Sequence, residues 1–287
     1  MYMNCSMVAG TSSRLRCTRA PLAAAVALCL AGAAHAATIT VNDSRGDPAN
    51  PNDSTCSLSD AVAALNQAVP TSPGIHELTF ATAGGGSMLY AISVPKTYDA
   101  NVPVPLILVL HSGGERMRYY GSAFMRLLVT PALGDLRAIM VAPDCPTNAW
   151  SDAASEEAVM ALLDDVLRQF NIDRRRVLVT GFSLGGRGTW FMASRHADLF
   201  TAAIPMASSP GDLPIERLAT MPTYIIHSRD DEVSAFAPDE RLAKQLMDMG
   251  RPVRFQALYG LGHYEMYRYV DALRGAGRWV ADQWRRR

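Results

Sequence analysis

The sequence predicts an α/β protein: a mainly parallel central sheet flanked by helices, preceded by a signal peptide and a short loop-rich module. Three observations carry that expectation. From Met88 onward, apolar strand-like runs alternate with amphipathic helical stretches. Most of the strand runs are continuously apolar, the pattern of strands covered on both faces. The chain has 287 residues, 49% of them apolar, which is enough to bury such a core.

The first element is a leader over residues 1–36. Arg14, Arg16 and Arg19 form a basic region ahead of an apolar run from Pro21 to Ala34. Ala34-His35-Ala36 fits a small-x-small cleavage site, so the mature chain is expected to start near Ala37. The competing reading is a membrane anchor. The run is short against the ~20 residues a spanning helix needs, so no stable membrane insertion of the mature protein is expected. A lipoprotein site at Cys29 is disfavoured by Leu28, where a small residue is wanted. Of five cysteines, the leader removes Cys5, Cys17 and Cys29, leaving Cys56 and Cys145. Export makes a disulfide between them chemically possible, and the sequence leaves that pairing open.

The second element is a module or linker over 37–87, rich in Asn, Asp, Ser, Thr, Pro and Gly. It holds one apolar helix-like stretch, Leu58–Val69, stopped by Pro70, and two short strand candidates, Thr38–Val41 and Glu77–Phe80. Gly84-Gly85-Gly86 reads as a flexible joint.

The third element is a catalytic domain over 88–287. Its strand candidates are Leu89–Val94, Leu106–Leu110, Ala138–Ala142, Val177–Thr180, Ala202–Met206, Thr223–His227 and Val253–Leu258. Its helices are Glu156–Gln169, Leu184–Ser194, Asp239–Met249 and Tyr264–Trp284. In such sheets ligands sit beyond the carboxyl ends of the strands, so chemistry-bearing motifs belong just after strands.

Gly181-Phe182-Ser183-Leu184-Gly185-Gly186 lies there, between the run Val177–Thr180 and a helix. That is the strand-turn-helix setting of a nucleophilic serine: the glycines allow a sharp turn, and the Leu184 amide at the helix start faces developing negative charge. A serine hydroxyl needs a base. His263, in the glycine-flexed loop after the last strand, has the position that the order nucleophile, acid, histidine requires. The loop His227–Val233 supplies three carboxylates; Asp231 is the chosen acid and Asp230 the runner-up, one residue away. His196 reads as a helix cap, and His227 as a residue that orients the acid loop. After Leu106–Leu110, His111-Ser112-Gly113-Gly114 matches a loop that supplies a second oxyanion amide, from Gly113. Glu115 and Arg116 either pair to position that loop or form a surface ion pair worth little, and both readings stay open.

On these motifs the region from about Met88 to Arg287 resembles the α/β-hydrolase superfamily. It looks like the branch of phospholipase/carboxylesterase-type esterases, polyhydroxybutyrate-depolymerase-like and feruloyl-esterase-like enzymes, and predicted peptidases. Val141–Pro146, Asn171–Val177, Gly185–Trp190 and Ile226–Val233 are similar to that branch's corresponding segments. Ser112 stands where a Gly is common, and Ser234-Ala235 where Val-Pro is usual. The resemblance implies a Ser183-His263-Asp231 triad, an oxyanion hole of the Gly113 and Leu184 amides, and ester hydrolysis through an acyl-enzyme with no cofactor or metal. Separately, Cys56-Ser57-Leu58-Ser59-Asp60-Ala61 resembles the Cys-Ser-Leu-Arg-Glu-Ala module of exported β-helix proteins, with Ser59 in place of Arg. No coil repeats follow it, so it reads as an appended piece without chemistry of its own.

Charge excludes other classes. Lysine plus arginine number 27 against 27 acidic residues, so bulk electrostatics recruits neither nucleic acid nor an anionic membrane. No His or Cys cluster has zinc spacing. The expected partner is a small-molecule or polymer ester, with the oligomeric state left open. A peptidase or acyl transferase would share the triad, and a non-catalytic exported binding protein would need an inert core. Met117, Tyr119, Tyr120, Phe124 and Trp150 line an acyl or aryl pocket or are ordinary packing, and both readings stay open. No large lid insertion separates the strands, which argues against an interfacial lipase.

Overall fold

The computed structural model describes residues 69–82, 86–115, 117–213, 218 and 220–286 in full. N-terminal to these it gives only backbone strands, Met3–Met7 paired antiparallel with Leu15–Arg19, and Ala24–Cys29 with Ala36–Val41. The signal peptide, its cleavage site, the Cys56 module and Gly84-Gly85 of the joint otherwise lie outside the described residues, as does Arg116.

Eight strands form the main sheet: β1 Gly74–Ala81, β2 Ser87–Val94, β3 Val104–Leu110, β4 Ile139–Pro143, β5 Ile172–Phe182, β6 Ala202–Met206, β7 Thr223–Ser228 and β8 Val253–Leu258. Their order is β8-β7-β6-β5-β3-β4-β2-β1. The pairings from β8 through β5 and β3 to β4 are parallel, and β2 runs antiparallel to β4. This is the mainly parallel sheet expected from the apolar runs. The sheet starts earlier than the boundary expected at 87/88. Gly74–Ala81, placed in the loop-rich module by composition, is its outer strand. An edge strand needs only one buried face, and in this one Phe80 alone is buried while the rest are half-buried or exposed, so its polar residues hid its membership.

Side-chain alternation divides the core into two layers. Leu106, Leu108, Leu110, Val177 and Val179 face one layer, against Val159, Leu162, Leu163 and Val166 of a helix spanning Ala153–Gln169. Ile107, Val109, Leu178 and Ile204 face the other, against Leu273, Ala276 and Val280 of the C-terminal helix Val270–Arg285. The central stretches Leu106–Leu110 and Val177–Val179 are apolar at every position because helices cover both faces.

The segment Tyr120–Leu133, read as loop, is helical. It comprises α1 Tyr120–Phe124, a π turn Met125–Val129 and α2 Thr130–Leu133. Phe124, Met125, Leu128, Val129, Ala132 and Leu133 are buried in the second layer. The remaining helices are α3 Ala153–Gln169, α4 Leu184–Arg195, α5 Phe236–Asp248 and α6 Val270–Arg285. Asp152 caps α3 by accepting from the Ser155 amide at 2.8 Å. The last helix begins later than Tyr264: a loop and a short 3₁₀ turn, Met266–Tyr269, come first. Among the described residues, no helix is long and apolar enough to cross a membrane.

Candidate active site

The turn at Ser183 is made by crowding. β5 ends at Phe182 and α4 begins at Leu184, so Ser183 must reverse the chain in one residue. It does so at φ 55° and ψ −113°, a conformation that side chains rarely adopt. Its amide donates to the Met206 carbonyl at 2.9 Å, and its carbonyl accepts from the Arg187 amide at 3.0 Å. The flanking backbones leave no space for a side chain. A Cβ on Gly181 would sit 2.4 Å from the Gly185 oxygen, and one on Gly185 would sit 1.9 Å from the Leu110 oxygen. Both glycines are therefore fixed by close approach.

Three loops, after β5, β7 and β8, bring three side chains together. Ser183 Oγ lies 2.7 Å from His263 Nε2, and His263 Nδ1 lies 2.7 Å from Asp231 Oδ2. The Asp231 side chain is fully buried, and its other oxygen accepts from the Val233 amide at 3.0 Å and the Ser234 amide at 2.7 Å. A carboxylate held this way accepts a hydrogen bond from Nδ1–H, which leaves Nε2 free to accept from the Ser183 hydroxyl. Asp230 is turned elsewhere: its Oδ2 accepts from the Gly260 amide at 2.6 Å. Glu232 accepts from the His263 amide at 3.0 Å, so all three carboxylates of the acid loop hold the loop after β8. Phe182 packs under the imidazole at 5.2 Å, and exposed Tyr264 stands edge-on to it at 5.7 Å.

The loop after β3 comes to the same place. A Cβ on Gly113 would lie 3.6 Å from Leu184 Cβ, which puts the two residues in contact. His111 holds this loop. Its Nε2 accepts from the Cys145 amide at 3.0 Å, so Nδ1 carries the proton and donates to the Ser112 carbonyl at 2.7 Å. Burial lowers the pKa of this imidazole, in keeping with a neutral ring. Trp150 Nε1 donates to the His111 carbonyl at 3.0 Å, and the Tyr120 hydroxyl meets Ser112 Oγ at 2.9 Å and the Gly113 carbonyl at 3.3 Å.

Two of the five candidate pocket residues are therefore packing. Phe124 and Trp150 are both 1% exposed, Phe124 beneath the sheet and Trp150 under the β3 loop. Tyr120 supports that loop, and Met117 is exposed. His196 ends α4 and meets Glu156 Oε1 at 2.8 Å. His76 meets the Ser72 carbonyl at 2.8 Å. Cys145 carries a free thiol, 3.8 Å from Ser155 Oγ. Among the described residues, no group of three or more His, Cys, Asp or Glu is placed to hold a metal ion. Sequence reasoning missed Tyr120 and Glu232 as loop holders. Glu232 was visible as a third carboxylate beside Asp231, but Tyr120 gave no sequence signal.

The model of the dienelactone hydrolase family matches residues 135–266, a stretch that holds Ser183, Asp231 and His263. A probable feruloyl esterase C of Aspergillus flavus is 33% identical over 127 residues, covering 39% of this chain and 43% of that protein. The chain spans less than two thirds of the length of the curated relatives it matches first, 43% and 60% in two of them. Among solved structures, a thermostable esterase is 25% identical with a TM-score of 0.58, over 74% of this chain and 62% of that one. The S-formylglutathione hydrolase FrmB of Staphylococcus aureus, 16% identical, has a TM-score of 0.58 over 74% of this chain and 98% of that one, and shares the fold.

Proposed function

We propose that this chain, which belongs to the α/β-hydrolase superfamily, is a serine carboxylic ester hydrolase with Ser183 as nucleophile, His263 as base and Asp231 as the acid that holds it. The observation that carries this reading is the unbroken line Ser183 Oγ, His263 Nε2, His263 Nδ1, Asp231 Oδ2, with 2.7 Å at each junction. Esterase relatives in sequence and fold support the ester over other acyl compounds.

In the proposed reaction, His263 takes the Ser183 proton as Oγ attacks the ester carbonyl. The Gly113 and Leu184 amides receive the oxyanion, whose charge also lies at the N-terminus of α4. His263 then protonates the leaving alcohol. Water, activated by the same imidazole, releases the acid from the acyl-enzyme. Each proton moves between groups of this chain and the reactants.

The substrate class we propose is an aryl or short-chain carboxylic ester, free or borne on a polymer, with feruloyl esters first to be tried because of the feruloyl esterase relatives. The leader motif supports the reading that the protein acts outside the cytoplasm, and a mature N-terminus at Ala37 in secreted material would test it. The central test uses a fluorophosphonate probe and a panel of esters graded by acyl length and aromaticity, with a peptide beside them. Wild type should be labelled and cleave esters, and Ser183→Ala should do neither. Full activity in Ser183→Ala would overturn the nucleophile assignment. Cleavage of the peptide alone would overturn the ester reading.

A further inference from the structure

Behind the acid of the triad lies a second carboxylate–imidazole pair that the proposed steps do not use. His227, near the end of β7, and Asp239, in the first turn of α5, both have side chains with no exposed surface. His227 Nδ1 is 2.7 Å from Asp239 Oδ2. His227 Nε2 is 3.1 Å from the Ser234 carbonyl and 3.5 Å from Asp231 Oδ2. That Asp231 oxygen is the one that holds His263.

A proton count fixes the state of the ring. Each of these facing atoms is an oxygen with lone pairs to offer. A bare Nε2 would set its own lone pair against two of them in a dry site, so Nε2 carries a hydrogen. A second proton lies between Nδ1 and Asp239 Oδ2, because bare lone pairs do not approach to 2.7 Å. Burial pushes the Asp239 carboxyl up, the His227 hydrogen bond and charge pull it back, and the Asp231 charge adds to the rise. Asp239 Oδ1, buried with no hydrogen-bond partner, fits a carboxyl that shares its proton in this way. Whether that proton sits on nitrogen or on oxygen, Asp231, His227 and Asp239 together carry one net negative charge, and Nε2–H faces Asp231.

We propose that His227 and Asp239 are positioning residues for catalysis: His227 Nε2–H holds the Asp231 carboxylate alongside His263, and Asp239 keeps that hydrogen in place. The proposal rests on the triad reading. The titratable groups facing the ring are Asp231 and Asp239. Around them, Tyr269 Oη accepts from the Ser228 amide at 3.2 Å, Glu232 holds the His263 amide, and the Arg229 guanidinium lies over Phe236, whose ring packs against His227. Without the Nε2 hydrogen, which bonds the Ser234 carbonyl at 3.1 Å, Asp231 would lose the positive N–H end that faces it at 3.5 Å. It would then hold the His263 imidazolium more firmly, and His263 would release its proton at higher pH.

The test compares His227→Asn with His227→Gln. Glutamine carries an N–H to the position of Nε2, and asparagine does not reach it. The readouts are the pH profile of kcat/KM, with active enzyme counted by fluorophosphonate titration, and the ¹⁵N-histidine NMR spectrum. In His227→Asn the acid limb should move up by about half a pH unit or more, a roughly threefold loss on that limb. His227→Gln should return it towards wild type. Equal shifts in both variants, or an unmoved limb in a folded His227→Asn, would overturn the proposal. The wild-type spectrum decides independently of any variant: His227 should be protonated at Nε2 across the active pH range, and a bare Nε2 sinks the idea. A wild type inert to the probe and to esters would instead count against the Ser183 reading, which separates the two failures.

Discussion

Replacing Ser183 with glycine and with alanine isolates the strain stored in the nucleophile turn. Both variants lose the 2.7 Å bond to His263, so that loss cancels between them. They differ in the cost of a side chain at φ 55°, ψ −113°. A non-glycine residue held in such a region costs roughly 1–3 kcal/mol. Glycine gives back about 0.5–1 kcal/mol through its greater freedom in the unfolded chain. The balance is about 1 kcal/mol in favour of Ser183→Gly. For a domain of this size that is a melting point some 2–4 °C above Ser183→Ala. Both variants lack the proposed nucleophile, so calorimetry or circular dichroism reads the turn without interference from turnover. A glycine variant that melts at or below the alanine variant would show that the surrounding hydrogen bonds hold the turn without strain.

Other perturbations follow from the same geometry. Gly185→Ala places a Cβ 1.9 Å from the Leu110 carbonyl, where backbone must move on one side; urea denaturation should show a loss of about 3 kcal/mol or more, and a variant within ~1 kcal/mol of wild type would count against that crowding. Asp231→Asn should lower kcat by about 10⁴-fold, whereas Asp230→Asn, which touches the Gly260 amide and not His263, should stay within about tenfold; steady-state kinetics on one aryl ester compares them. Burial of Glu156 tends to raise its pKa, but its bonds to Arg195 and His196 outweigh this and hold it below the usual range. A lowered carboxylate pKa adds stability above the unfolded value of about 4.3, which is lost as pH falls through the folded one. Glu156→Gln should therefore be less stable than wild type at pH 7, by up to about 1 kcal/mol, and the gap should close below about pH 4; parallel denaturation curves at the two pH values check it.

The buried sheet was legible because burial on both faces forces apolar residues at every position. Ala202–Met206, buried throughout, has the bounds read from the sequence; Val253–Leu258 also has them, although Arg254 is exposed and its last four residues are half-buried. Glu77–Phe80 reads as a short strand, but its place in this sheet was not legible, because a strand half in water keeps its polar residues. The helical segment Tyr120–Leu133 was missed although its apolar residues recur at helical spacing. Thr130-Pro131 interrupts the pattern, and a π turn shifts its phase. Ser183, Asp231 and His263 were named from motif order, and the geometry brings them into one line. Which of Asp230 and Asp231 faces the imidazole depends on one turn, which the sequence does not fix. Tyr120, on a segment with no recognisable motif, could be linked to the β3 loop only through the folded chain.

His263, the proposed base, is carried on the loop that follows β8, the outermost strand on its side of the sheet, and most of that strand is partly exposed. Strands with a single neighbour are the first to fray when a protein is stressed, well before the central strands let go. Ser183, at the end of a central strand, would keep its place through such an opening while His263 drifted from it. In rising denaturant, turnover should therefore vanish while ellipticity is still intact, and return at once on dilution.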